Sequence, residues 1–300
     1  MRILLLGANG QVGWELQRAL APFGELLALD RRGRDGLCGD LSRPPALAET
    51  VASYAPEIIV NAAAYTVVDK AEAEARLART VNSLAPAALA AKAHDIDALL
   101  VHYSTDYVFD GTGEKAWTEE DTAAPVNVYG QTKWEGEQAV RESGCRHLII
   151  RTSWVYAARG QNFLRSILRL AAERESLRVV NDQIGAPTGA ELIADVTAAT
   201  LRELRYGRGE AGTYHVAPGG ETSWYDYARF IVRQARLFGQ TLSMTADAIS
   251  PIPTEDYPTP APRPRNSRLD CEKFERAFAL QLPDWQAGVA RVVNELASRT

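Results

Sequence analysis

Cysteine is nearly missing. Cys38, Cys145 and Cys271 are the three in a chain of 300 residues, and no CxxC or Cys/His ligand spacing joins them. That argues against a disulfide framework or a structural zinc site and fits a reducing cytoplasm. An excess of positive charge is also lacking: 33 Lys and Arg stand against 38 Asp and Glu, for a net charge of −5. Nucleic acid and anionic lipid both demand clustered positive charge, so neither is expected as a partner. The short clusters Arg31-Arg32-Arg34 and Arg263-Arg265-Arg268 suffice for one or two phosphates. Long apolar runs are absent too. The opening run over residues 3–6 breaks at Gly7, too short for a signal peptide or a membrane span. What remains is the composition of a globular, cytoplasmic protein. At 46% hydrophobic and 24% charged, it can bury one large core or two joined ones.

In the first half, short apolar segments alternate with helical patterns. Residues 3–6, 26–30, 58–61, 98–104 and 148–151 read as strands. Residues 12–20, 45–54, an Ala-rich stretch over 69–94 with an interruption near Pro86, and 128–142 read as helices. This alternation predicts an α/β fold with a Rossmann-type doubly wound parallel sheet covered on both faces. The second half is less regular, with helices expected at 162–175, 190–204, 223–236, 269–280 and 285–296 and a strand at 213–217. Between 251 and 264 stand six prolines. Each lacks a donor and restricts its predecessor, so this segment is expected to be extended and ordered. The expected organisation is a dinucleotide-binding domain over residues 1–155, to which 190–217 return, and a smaller C-terminal substrate lobe from 156–189 and 218–300.

Gly7-Ala8-Asn9-Gly10-Gln11-Val12-Gly13 follows the first strand and opens the first helix. Glycine permits the tight turn and a close backbone approach to a pyrophosphate, whose charge meets the free N–H groups of the helix N-terminus. Taken alone, the spacing is equally that of a tight strand–helix turn. Asp30 ends the second strand about 20 residues on, where an acid binds adenosine ribose hydroxyls. Arg31 and Arg32 beside it suit a 2′-phosphate, so NADPH is the expected cofactor, with NADH the alternative. Asp40 and Leu41, and Ala62, Ala63 and Ala64 with Tyr65 and Thr66, lie at the ends of the next apolar segments. Small residues there leave room for adenine and the dinucleotide bridge. Tyr129 and Lys133 stand four apart, one turn along a helix face. A cation beside a phenol favours the phenolate and draws its pKa of about 10 toward working pH. Any helix can carry such a pair by chance. Ser104, Thr105, Asp106 and Tyr107 occupy the polar end of the fourth strand, where open α/β sheets bind ligands. A hydroxyl there either bonds a substrate carbonyl or caps a turn.

The order GxxGxxG, acid, Ser/Thr, YxxxK resembles the extended short-chain dehydrogenase/reductase family. The segments from Gln11 to Leu16, Ser104 to Asp110, Asn127 to Gly130, Arg151 to Tyr156, Asn181 to Glu191 and Arg265 to Leu269 are similar to its dTDP-4-dehydrorhamnose reductases, over essentially the whole chain. The resemblance implies that Thr105 and Tyr129 bind the C4 carbonyl oxygen of dTDP-4-dehydro-L-rhamnose and that reduced nicotinamide delivers hydride to C4. Tyr129 would supply the proton, and Lys133 would hold the nicotinamide ribose and lower the Tyr129 pKa. The product would be dTDP-L-rhamnose, a precursor of cell-surface polysaccharide. Ser104, Asp106, Tyr107 and Trp154 would contact or wall the nucleotide sugar. The resemblance also implies a homodimer with Mg2+ held by Glu15, Glu191 and Glu295, though three helical glutamates also read as solvated surface.

Two rivals remain. One is a sugar-nucleotide 4,6-dehydratase or 4-epimerase of the same superfamily; the resembling dehydratases use an Asp-Glu pair after the threonine, and here Tyr107 follows Asp106 in place of the Glu, which disfavours elimination. A dinucleotide-binding regulatory subunit needs no catalytic set, whereas Thr105, Tyr129 and Lys133 are all present. His94, His102, His147 and His215 share no spacing and read as structural.

Overall fold

The computed structural model describes residues 1–298. Its first half supplies strands β1 (Arg2–Leu6), β2 (Glu25–Leu29), β3 (Ile58–Asn61), β4 (Leu99–Thr105) and β5 (His147–Thr152). Between them run helices α1 (Gln11–Leu20), α2 (Pro44–Tyr54), α3 (Val68–Ala73), α4 (Ala75–Arg79), α5 (Ala85–Asp95) and α6 (Val128–Glu142). Within β1, Ile3 and Leu5 join one core layer and Leu4 and Leu6 the other. A strand covered on both sides is apolar at every position, which is why these segments read as unbroken apolar runs. Leu16 and Leu20 of α1 close the first face. Leu47 of α2, Leu89 of α5 and Val140 of α6 close the second.

The second half adds short strands β6 (Val155–Tyr156), β7 (Leu177–Val180), β8 (Ile184–Gly185), β9 (Thr188–Gly189), β10 (Gly212–His215), β11 (Thr222–Ser223) and β12 (Ile249–Ile252). Its helices are α7 (Phe163–Glu173), α8 (Ala190–Arg205), α9 (Trp224–Leu237), α10 (Glu272–Phe278) and α11 (Trp285–Ala297). Strand β10 extends the main sheet beside β5, giving the parallel order β10-β5-β4-β3-β1-β2. This is the doubly wound sheet that the sequence predicts. The connections reverse between β1 and β3, and ligands of such sheets bind in the crevice at the strand C-termini there. Helices α7, α9 and α11 build the second lobe around Leu164, Tyr227, Ile231, Trp285 and Val293. Pro251 sits within β12, which pairs only with β7 in a two-stranded sheet, an edge position where proline is tolerated.

Two details depart from expectation. The Ala-rich stretch breaks first at Glu74 (φ −111°, ψ 34°), and Thr80–Leu84 forms a π-helical turn before α5. Pro86 lacks an N–H, and the regular α pattern gives way to this π turn just before it, as expected of an interruption near Pro86; Leu84 (φ −68°, ψ −35°) and Ala85 (φ −67°, ψ −48°) stay helical, so the helix runs on through the proline. Residues 272–282 were expected in the substrate lobe. Instead Phe274, Phe278 and Leu282 pack on the α1 face of the sheet. Phe274 and Phe278, one helical turn apart, both meet the Tyr214 ring of β10 edge-on, at 6.0 and 5.1 Å. Among the described residues no helix is long and apolar enough to cross a membrane, and all three cysteines are free thiols.

Candidate active site

A cleft of about 740 Å³ lies along the C-terminal edge of the sheet, reaching Trp154 and Trp224 at its far end. The glycine loop shapes one half. Gly7 has φ +86°, and a Cβ on it would stand 2.8 Å from the Ala63 nitrogen. A Cβ on Gly13, which lies behind the cleft wall, would stand 2.1 Å from the Gly7 oxygen. Gly10 is different: its nearest neighbour would be 3.3 Å away, and as N-cap of α1 it offers no side-chain cap. The first-turn N–H groups thus remain available beside Gly10, Gln11 and Val12, which line the cleft, a fit for a pyrophosphate. The Asp30 carboxylate accepts from Arg32 Nη2 at 3.0 Å, the Arg32 backbone N–H at 2.8 Å and Asn9 Nδ2 at 2.7 Å. Those bonds, Arg32 foremost, hold its pKa below the usual carboxylate range. Arg31 Nε reaches Asp40 Oδ2 at 3.4 Å. Leu41, Ala62, Ala63, Ala64, Tyr65 and Thr66 line the same half. The Tyr65 N–H donates to Asn82 Oδ1 at 2.8 Å, pinning that loop.

Helix α6 supplies the other half. Asn127 caps it, accepting from the Gly130 N–H at 2.8 Å, and donates from Nδ2 to the Pro262 oxygen at 2.8 Å. A Cβ on Gly130 would come 2.1 Å from the Tyr107 oxygen, so the helix lies directly against the end of β4. That approach brings the Tyr129 phenol within hydrogen-bonding reach of the Thr105 hydroxyl and sets the Tyr107 and Tyr129 rings edge to face at 5.6 Å. Thr105 Oγ1 donates to Asp106 Oδ1 at 3.1 Å and accepts from the Tyr107 N–H at 3.2 Å. Lys133 is 2% exposed; its Nζ donates to the Tyr103 oxygen at 2.6 Å and lies 3.3 Å from His102 Nε2.

Burial dominates the electrostatics. It pushes the Tyr129 phenol up to about 12, with Thr105 partly offsetting it, and Lys133 down to about 8, with Glu137 one turn on opposing. The expected downward pull of Lys133 is not among the influences on Tyr129; its Nζ is turned to Tyr103 and His102. Burial and then Lys133 push His102 well below its ordinary value, so it is a neutral ring in contact with Lys133. Burial also raises Tyr107 above a free phenol and Asp106 to about 7. Ser104 Oγ and Thr152 Oγ1 are buried without a hydrogen-bond partner among the described residues, and both residues line the cleft. These orphaned hydroxyls, with the open cap at Gly10, fit a dinucleotide in the cleft.

Trp154 holds a left-handed backbone (φ +47°), and its ring stacks on Trp224 with centroids 3.6 Å apart. Sequence reasoning missed Trp224 and Asn9. Asn9 was visible as a polar side chain inside the glycine loop; Trp224 arrives from α9 and left no local signal. The glutamates Glu15, Glu191 and Glu295 do not form a metal centre: among the described residues no group of three side chains is placed to hold an ion. Glu191 feels the charges of Glu15 and Glu295, but its Oε2 is taken by Arg291 Nη1 at 2.7 Å. One oxygen of Glu191 is thus engaged by a guanidinium. The second arginine cluster is likewise engaged with acids, Arg263 with Asp69, Arg265 with Glu255 and Arg268 with Glu221.

Comparison with known proteins adds to this geometry. Residues 1–298 match the family described as the RmlD substrate binding domain. The dTDP-4-dehydrorhamnose reductase of Escherichia coli K12 is 54% identical over 300 residues, covering all of this chain and 99% of the relative. A crystal structure of a dTDP-4-dehydrorhamnose reductase from Clostridium acetobutylicum superposes with a TM-score of 0.89 at 34% identity, covering 99% of both chains. One from Bacillus anthracis, in complex with NADP, has a TM-score of 0.87 at 34% identity over 98% of this chain and 99% of its own.

Proposed function

We propose that this chain, which belongs to the RmlD substrate binding domain family of dTDP-4-dehydrorhamnose reductases, reduces the C4 keto group of dTDP-4-dehydro-L-rhamnose to give dTDP-L-rhamnose. The observation that carries the reading is the meeting of Thr105, Tyr129 and Lys133 at the inner end of a cleft whose other half fits a dinucleotide. NADPH is the proposed cofactor, as in the NADP-bound relative, with Arg31 and Arg32 at the adenosine end; Asp30 keeps NADH as the alternative. When bound, the nicotinamide supplies hydride to C4.

The chain's own residues do the rest. Thr105 and Tyr129 orient the carbonyl oxygen between two hydroxyls. With its pKa pushed to about 12, Tyr129 is a neutral phenol at neutral pH and so a proton donor for the alkoxide that develops at C4. Lys133, fixed by Tyr103, presents its ammonium to the ribose and, once turned toward it, favours the tyrosinate left behind. Ser104, Tyr107 and Trp154 wall the sugar. The sheet lobe takes the cofactor and the second lobe the nucleotide sugar. Elimination by a dehydratase needs a carboxylate base where Tyr107 stands, and a buried, neutral phenol cannot serve. We place the protein in the cytoplasm as a homodimer.

The test is absorbance at the reduced-nicotinamide band with fresh dTDP-4-dehydro-L-rhamnose. Tyr129→Phe is expected to lose roughly 10²–10⁴-fold in kcat while NADPH affinity holds. No oxidation by the parent protein, or an equal loss of cofactor affinity in the variant, refutes the assignment.

A further inference from the structure

Thr105 has one hydroxyl proton, and two groups beside the cleft compete for it: the Asp106 carboxyl, with Oδ1 at 3.1 Å, and the Tyr129 phenol. Oγ1 donates to Asp106 Oδ1 at 3.1 Å while accepting from the Tyr107 N–H at 3.2 Å. A carboxylate only accepts, so an ionised Asp106 keeps that proton. A substrate carbonyl oxygen also only accepts, and beside an ionised Asp106 it receives nothing from Thr105. A neutral Asp106 reverses the direction: its O–H donates to Thr105 Oγ1, and the Thr105 proton turns toward the carbonyl.

The surroundings favour the neutral acid. Asp106 is 2% exposed, and its Oδ2 is buried with no hydrogen-bond partner among the described residues. A buried carboxylate oxygen left unbonded is costly as part of an anion and cheap as the carbonyl oxygen of an acid. Three weaker groups oppose burial and favour the charge: the Ser267 hydroxyl, then Thr105, then the Asp106 backbone N–H. The ionisable groups around it are the phenols of Tyr107 and Tyr129, each of which an ionised Asp106 disfavours as an anion. The Arg263–Asp69 pair acts on Tyr107. Arg265 and Arg268, which flank Ser267, are held by Glu255 and Glu221. Burial raises the Asp106 pKa to about 7, within reach of working pH.

We infer that Asp106 is a positioning residue that keeps its proton through turnover and thereby points the Thr105 hydroxyl at the substrate carbonyl. The inference rests on the reductase reading above. No bond to carbon and no net proton transfer involves Asp106. Ionising it switches off one of the two hydrogen bonds that orient and polarise the carbonyl.

Two measurements on the full chain test this. The first is the infrared band of a protonated carboxyl group, wild type minus Asp106→Asn, from roughly pH 5.5 to 9. The second is the kcat profile for NADPH oxidation with dTDP-4-dehydro-L-rhamnose over the same range. The expected band belongs to Asp106 and titrates near neutrality, and kcat falls with the same midpoint, by about 30-fold at about pH 8.5 from Asp106 alone and on the order of 100-fold once Lys133 is included. Asp106→Asn, whose amide can donate to Thr105 at every pH, is compared only with its own kcat at the acid end, and from that value it falls by only about fourfold at about pH 8.5, through Lys133. A merely structural role lowers activity equally at every pH. Absence of the band at the acid end, or an alkaline limb unchanged in Asp106→Asn, overturns the inference whatever the turnover. A band with no turnover by the parent protein overturns the reductase reading and this inference with it.

Discussion

Glu137 is fully buried beneath α6, and its carboxylate serves an arginine that is 2% exposed. Arg151 Nε lies 3.0 and 3.2 Å from its two oxygens and Arg151 Nη2 2.8 Å from Oε2, where Arg141 Nη2 also arrives at 2.5 Å. Glu137→Gln keeps the shape and removes the charge. The Arg151 guanidinium is then left against the Phe109 ring, 5.1 Å away, and the neutral His215 at 3.3 Å. Breaking a buried pair from one side costs about 3–5 kcal/mol, and the retained amide places this change at the lower end. At about 2 °C per kcal/mol for a chain of this size, the melting temperature should fall by roughly 6 °C. Replacing both partners with Met removes the stranded charge and should recover most of the loss. Thermal melts of wild type, Glu137→Gln and the double variant at pH 7, followed by circular dichroism, decide the matter. A single variant melting within about 2 °C of wild type, or a double variant no more stable than the single, refutes the reasoning. The same change reaches the active site, because Glu137 opposes the effect of burial on Lys133. Its removal should move the loss of the Lys133 ammonium to lower pH.

Two further outcomes are expected. Lys133 has a folded pKa of about 8, below its unfolded value of about 10.4. The folded protein therefore binds fewer protons between those values, and stability rises with pH across that window. Lys133→Met should melt several degrees above wild type at neutral pH, with the gap closing toward about pH 10 and turnover lost; a pH-independent gap contradicts this. In the loop, Gly13→Ala drives its Cβ into the Gly7 oxygen. It should destabilise the fold by about 1–3 kcal/mol, whereas Gly10→Ala should melt like wild type yet weaken NADPH binding at least about tenfold by blocking the pyrophosphate. Equal melting losses for both would remove the distinction between a packing glycine and a binding one.

The sheet was legible because each strand is a short apolar run covered on both faces, so β3 falls on residues 58–61 as read. Helix α6 was legible at both ends, with Asn127 to cap it and Gly144 just beyond Ser143. The helical spacing of Tyr129 and Lys133 was visible as well. What escaped lies in contacts between distant segments. Nothing near Glu272 tells that Phe274 and Phe278 lie on Tyr214 and not in the substrate lobe. Trp224 faces Trp154 only because α9 folds back over the cleft. The direction of the Lys133 ammonium depends on the Tyr103 backbone oxygen, which has no sequence signature. The three glutamates gather, but Arg291, far from Glu191 in sequence, engages one of its oxygens.

The chain does not finish one lobe before starting the other. It leaves the sheet after β5, returns through α8 and β10, departs again into α9, and comes back a last time with α10. The exit at β6 and the return at β9 are hydrogen-bonded to each other, like two plies of one spine. A single proteolytic nick in any crossing leaves the halves tethered by the others, and neither lobe can be cut out as an independent module. Trp154 and Trp224 both rest on the core of the second lobe, so the stacked pair that walls the far end of the cleft belongs to that lobe as one piece, although the chain enters it twice to build it.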